Sequence, residues 1–241
     1  MSEPAKPRPT ARELSLTLEQ ALARKSANPG PFEELFFAHD GRGADKWDHY
    51  LPFYDRVFAP YRAVPIRMLE IGVMNGGSLE LWRKYFGPAA TIFGVDINPA
   101  CAGRVDPPNQ VRIGSQADPD FLRGVVAEMG GVDIILDDGS HVANHQATSF
   151  RTLWPLLTVG GLYVIEDLHT AYWPEWEGGL RRPGSAIELV KQLIDDMHAR
   201  YHGQPEGLAA YSQLGSILMT DSIVAIKKVN RPPTGHLWVG G

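Results

Sequence analysis

The chain has 241 residues, 44% hydrophobic and 21% charged, enough for one sizeable domain with a buried core. A formal net charge of −5 argues against binding nucleic acid through a basic surface, and a lone cysteine, Cys101, excludes an intramolecular disulfide and fits a reducing compartment. No apolar run reaches the length of a membrane span, and MSEPAKPRPTARE lacks a signal-peptide core, so the expectation is a cytoplasmic protein without a membrane partner.

Residues 1–12, rich in proline and charge, read as a disordered tail. LSLTLEQALARKSA (14–27) has helical spacing and stops at Asn28-Pro-Gly. The polar loop AHDGRGADKWDHY and an aromatic helix, YLPFYDRVFAPYR, complete a helical add-on over 13–63. Within the loop, Lys46, Trp47, His49 and Tyr50 are candidates for a lid over a cofactor, with surface filler as the alternative.

From 64 to 241 strands and helices alternate. IRMLEIG, TIFGVDI, VRIGS, VDIILDD and GGLYVIED read as strands. SLELWRKYF, DPDFLRGVVAEM, HQATSFRTLWPLL and SAIELVKQLIDDMHARY read as helices, the last with Ile187, Val190, Ile194 and Met197 along one face. LGSILMT and SIVAIKKV, joined at Asp221, read as a hairpin. The pattern predicts an α/β fold: a seven-stranded, mostly parallel sheet with helices on both faces and a C-terminal antiparallel hairpin.

Two strands end in carboxylates followed by histidine, ILDDGSH (135–141) and VIEDLH (164–169). Crowded carboxylates raise one another's pKa unless a cation neutralises them, and this edge of an open α/β sheet is where ligands bind. Asp138, Glu166 and Asp167 are therefore expected to hold a hard divalent cation, Mg²⁺ or Mn²⁺, with His141 beside it as general base. A substrate with adjacent hydroxyls would chelate such an ion.

The other half of the site begins at MLEIGVMNGGS, where Glu70, Gly72, Gly76 and Ser78 form a strand–turn–helix junction. Such glycines also serve plain packing or dinucleotide binding, as in an NAD-linked oxidoreductase. Asp96 ends the second strand, where an acid takes ribose hydroxyls, and no G-x-G-x-x-G cradle for a diphosphate is present. A nucleoside with a cationic centre, S-adenosylmethionine, fits better, with Ser115, Gln116 and Asp118 near its adenine. For Gln116 an exposed loop position is an equal reading. Asp137 is expected to face the cofactor while Asp138 faces the metal, because neighbours on a strand point to opposite sides.

The segments DKWDHYLPFYDRVFAPYR, RMLEIGVMNGGSLELWRKYF, IFGVDI, GSQADPDFL, DIILDDGSHVANHQATSF and GGLYVIEDLHTAYWPEWEGG occur in order, covering about residues 43–179, and TDSIVAIKK follows. Together they resemble the metal-dependent sugar O-methyltransferases of the mycinamicin and demethylmacrocin type. The resemblance implies a Rossmann-like class I methyltransferase that uses S-adenosylmethionine, with Mg²⁺ on Asp138, Glu166 and Asp167 and His141 as base. The chain is expected to lack the mycinamicin enzyme's large N-terminal domain. In its compact size it resembles mycobacterial enzymes that methylate methylmannose polysaccharides, which implies a mannoside acceptor and polysaccharide biosynthesis.

In HTAYWPEWEGG, Tyr172, Trp173 and Trp176 suit stacking on a sugar ring, with His169 orienting the substrate; core packing is the alternative for each aromatic. His145 reads as structural. The competing acceptor is a catechol-type phenol, which ionises without a strong base. Apolar faces on the N-terminal helices suit a homo-oligomer.

Overall fold

A computed structural model of the protein describes residues 15–240. The tail expected over 1–12 lies outside the described residues. The seven strands are β1 (Arg67–Ile71), β2 (Thr91–Asp96), β3 (Gln110–Ile113), β4 (Val132–Asp137), β5 (Leu157–Ile165), β6 (Leu214–Thr220) and β7 (Ile223–Lys228). They form one sheet in the order β3-β2-β1-β4-β5-β7-β6. β1 to β5 run parallel, and β7 inserts antiparallel between β5 and β6. The order reverses between β1 and β4, so a crevice opens above their C-terminal ends.

Seven α-helices lie among the described residues: α1 (Leu18–Arg24), α2 (Pro31–Phe37), α3 (Tyr50–Phe58), α4 (Gly77–Phe86), α5 (Pro119–Met129), α6 (Ala143–Leu153) and α7 (Ala186–His202). None is long and apolar enough to cross a membrane. α1 is shorter than its sequence pattern: Thr17 and Gln20 form a capping box at its start, and it ends at Lys25.

The helix expected to run through Pro155 and Leu157 stops earlier. Leu157 pairs with Val132 and opens β5, while Thr158 Oγ1 donates to Asp133 Oδ1 at 2.7 Å. On α7 the expected Ile187 and Val190 are buried, together with Ala186, Leu189 and Leu193, whereas the expected Ile194 is exposed. Two cores flank the sheet. One joins α5, α6 and α7 to it, and the other packs α2, α3 and α4 around Trp82, with Phe32 stacked on its ring at 4.4 Å. The aromatic run of α3 thus shares a core with the sheet and is pinned over the crevice.

Candidate active site

A cavity of about 1250 Å³ opens at the C-terminal ends of β1, β2, β4 and β5. On its β1–β2 side it is lined by Gly72, Ser78, Asp96, Ser115 and Gln116. Gly72 has φ +94°, and a Cβ there would meet the Asp138 carbonyl, so β1 and β4 close on each other only through a glycine. Asp96 ends β2 and accepts from the backbone N–H groups of Val73 at 2.9 Å, Met74 at 3.1 Å and Asn98 at 2.8 Å. Burial favours its protonated form, but these N–H groups outweigh it and hold the carboxylate below its ordinary value. Its charge thus shapes the first turn while still facing the cavity.

Four residues expected at the cofactor do not line this cavity. Glu70 is fully buried and off the cavity, accepting from Ser78 Oγ at 2.8 Å and Trp82 Nε1 at 3.1 Å. Burial pushes its carboxyl up to about 7. Gly76 is buried with φ +86° against the Arg104 carbonyl, so both backbone conformation and packing call for a glycine. Asp137 is fully buried beneath the crevice, accepting from Ser149 Oγ at 2.7 Å, Gln116 Nε2 at 3.1 Å and Tyr163 OH at 3.4 Å. Gln116 also accepts from the Ser140 N–H at 2.6 Å, so it is a buried brace between the β3 and β4 turns as well as a wall of the cavity. Asp118 caps α5 through the N–H groups of Asp120 and Phe121.

The acidic end is assembled as the strand pattern implies. Asp137 pairs with Ile165, so Asp138 and Glu166 emerge side by side from β4 and β5. His141 Nε2 lies 3.5 Å from Asp167 Oδ2 and 3.9 Å from Asp138 Oδ1. Donor atoms of Asp138, His141 and Asp167 all lie within 4.8 Å of one another. His141 and Asp167 both adopt left-handed backbone, with φ +56° and +55°. Such non-glycine strain collects where a side chain must be aimed. The Nδ1 atom of His141 is buried without a hydrogen-bond partner, which leaves the ring held by packing.

Lys46 enters this cluster from the loop before α3. Its side chain is only 2% exposed, and its Nζ contacts Asp138 Oδ2 and both oxygens of Glu166, at 3.0 and 3.1 Å. Tyr54 OH donates to Glu166 Oε1, and Trp47 Nε1 and Tyr50 OH each lie 3.0 Å from Asp167 Oδ1. Burial alone would lower the Lys46 ammonium's pKa, but Asp138, Glu166 and Glu70 together raise it well above its ordinary value. Burial and then the charge of Asp138 push Glu166 well up, and burial also raises Asp138. Lys46, Asp138 and Glu166 thus all hold protons more tightly than usual, as buried carboxylates sharing one cation should.

Residues 43–49 of the loop read as a lid do line the cavity, and from that loop Lys46 joins Tyr50 and Tyr54 of α3 at the acids. One wall of the cavity is aromatic: Trp47 packs edge-on against His169 at 5.3 Å, His169 against Trp173 at 4.7 Å, and Trp173 near Trp176 at 5.4 Å. Those four line the cavity, whereas Tyr172 is 44% exposed and does not. His169 Nδ1 lies 2.6 Å from Ser222 Oγ in the β6–β7 turn. His145 also lines the cavity, with Nδ1 2.9 Å from Ser140 Oγ.

Comparison with known proteins follows this geometry. Residues 69–168 match the family model described as a methyltransferase domain. The 8-demethyl-8-(2-methoxy-alpha-L-rhamnosyl)-tetracenomycin-C 3'-O-methyltransferase of Streptomyces olivaceus is 43% identical over 204 residues, 79% of this chain and 52% of that protein. Mycinamicin VI 2''-O-methyltransferase of Micromonospora griseorubida is 43% identical over 161 residues, 61% of this chain and 39% of that one. The chain spans about half the length of the curated relatives it matches. The solved structure of MycE methyltransferase from the mycinamycin pathway, in complex with Mg, SAH and mycinamycin VI, superposes with a TM-score of 0.69 at 34% identity, covering 75% of this chain and 49% of that one. The chain thus has the class I methyltransferase fold, matches a methyltransferase-domain model over residues 69–168, and is similar along most of its own length to sugar O-methyltransferases.

Proposed function

We propose that the protein is an S-adenosylmethionine-dependent O-methyltransferase that methylates a hydroxyl of a saccharide or glycoside with the help of a divalent cation. The observation that carries the reading is the convergence of Asp138, Asp167 and His141 in the same cavity as the Gly72–Asp96 turn. The relatives named above act on sugar hydroxyls of glycosylated compounds, which supports the acceptor class.

Gly72, Ser78, Asp96, Ser115 and Gln116 would hold the cofactor's nucleoside. Asp138, Glu166 and Asp167 would hold the cation. An all-oxygen set already carrying one ammonium fits a hard ion such as Mg²⁺ or Mn²⁺. When bound, the ion supplies Lewis acidity toward adjacent hydroxyls of the acceptor. Trp173 and Trp176 offer ring faces to a pyranose, and His169 is steadied by Ser222 to orient it. Methylating an alcohol releases a proton. Nε2 of His141, facing Asp138 and Asp167, is placed to receive it.

Labelled S-adenosylmethionine, offered with mannosides, rhamnosides, glucosides and catechols in Mg²⁺ or in EDTA, tests the whole reading. Transfer to a glycoside that EDTA stops is the expected outcome. Transfer to catechols alone would replace the acceptor class, and transfer untouched by EDTA would remove the cation from the reaction.

A further inference from the structure

Lys46 occupies the position that the strand-end carboxylates offer to a cation. Among the described residues it is the only lysine or arginine paired with Asp138, Glu166 or Asp167. Its contacts leave the three acids in different conditions. Glu166 has both oxygens engaged, Oε2 by Lys46 and Oε1 by Lys46 and Tyr54. Asp138 Oδ1 and Asp167 Oδ2 instead face His141. An ammonium seated on Glu166 repels a second cation brought to the same oxygens.

The segment carrying Lys46 holds no regular structure that its displacement would break. Residues 43–46 are irregular, between two anchored points. Upstream, Arg42 donates to Glu80 at 2.8 Å and Asp106 at 2.7 Å. Downstream, Tyr50 begins α3 with its ring buried. Between them Trp47 holds Asp167, so any withdrawal of Lys46 is felt at a second carboxylate of the site.

We infer that Lys46 is a tethered cation that keeps Asp138 and Glu166 assembled in the metal-free protein and leaves Glu166 when a divalent cation binds, drawing the 43–47 segment with it. This rests on the cation site of the proposed function but not on methyl transfer. Lys46 is a positioning residue in this account: it sets the carboxylates and exchanges with their ligand.

The test is Mn²⁺ binding to the full chain, read by electron paramagnetic resonance of the free ion, for wild type, Lys46→Met, Lys46→Gln and Lys46→Arg. Removing the charge is expected to tighten Mn²⁺ binding by about tenfold or more, a gain Lys46→Arg does not share. The metal-free Lys46→Met protein is expected to melt below wild type, with Mn²⁺ recovering the loss. If Lys46→Met does not fold, the neutral, polar Lys46→Gln carries the affinity comparison. Tryptophan emission should change as wild type is titrated, and that change should shrink in Trp47→Phe. Unchanged or weaker Mn²⁺ binding in the folded neutral variants would overturn the inference while leaving the proposed reaction standing. Absence of Mn²⁺ binding in every protein would overturn both.

Discussion

Asp137 and Asp138 are neighbours at the end of β4 and opposites in environment. Asp137 is sealed under the crevice with three neutral donors fixed around it, from Gln116, Ser149 and Tyr163. Asp138 opens into the cavity and shares one lysine with Glu166. A buried carboxylate met by rigid hydrogen-bond donors is a finished piece of architecture. One met by a charge on an irregular loop, beside two further acids, is available for exchange. The alternation of a strand separates these fates by a single residue.

Breaking each side of that pair should give different losses. His141→Ala is expected to cost on the order of 10³-fold in methyl transfer with the fold retained, and Asp138→Ala at least about 100-fold, with Mn²⁺ binding weakened. Rates with labelled cofactor, alongside circular dichroism, check both. An Asp138→Ala enzyme that keeps the wild-type rate would place the cation elsewhere. Asp137→Ala should act on the fold instead, lowering unfolding stability by about 4 kcal/mol because it strips the shared acceptor from a buried knot. Urea melts measure it, and a loss under about 1 kcal/mol would mean that the knot contributes little.

The smallest effect sharpens the contrast from the β1 side. Burial raises the Glu70 carboxyl from 4.5 to about 7. A raised carboxyl keeps its proton in the folded protein at pH values where the unfolded chain has released it. Its stabilising share is therefore complete below about pH 4.5 and is lost as pH rises through 7. Glu70→Gln should flatten that decline, worth on the order of 2–3 kcal/mol, when wild type and variant are melted at pH 5 and pH 8. Parallel pH profiles for the two proteins would contradict the burial argument.

Strand ends were the most legible part of the molecule. ILDD and VIED showed an apolar run stopping in acid, and β4 and β5 do bring Asp138, Glu166, Asp167 and His141 to one place. The alternation of strands and helices carried the parallel sheet for the same reason, since buried strands leave continuous apolar runs. Less legible was which side a polar residue faces when both sides are buried. Glu70 and Asp137 follow strand geometry as well as Asp138 does, yet fixed donors inside the core satisfy them. Lys46 was legible as a loop residue near the cofactor, but its pairing with the acids was not, because nothing local in a Gly- and Asp-rich loop places a distant pair of carboxylates opposite it. Tyr172, beside two tryptophans that line the cavity, points away because a short 3₁₀ turn over Leu168–Tyr172 resets the direction of its side chain.

Tyr50 OH lies 3.0 Å from both Asp167 Oδ1 and the Ser222 carbonyl, and Ser222 also steadies His169. The acidic cluster is therefore closed by parts of the chain 172 residues apart, the first residue of α3 and the last hairpin of the sheet. Contacts of that sequence separation form late, because a long loop must close before they reward it. During synthesis the carboxylates of β4 and β5 emerge well before the turn that completes their surroundings. A chain cut before β6 would carry every acid of the site and still lack the Ser222 partner of Tyr50 and His169.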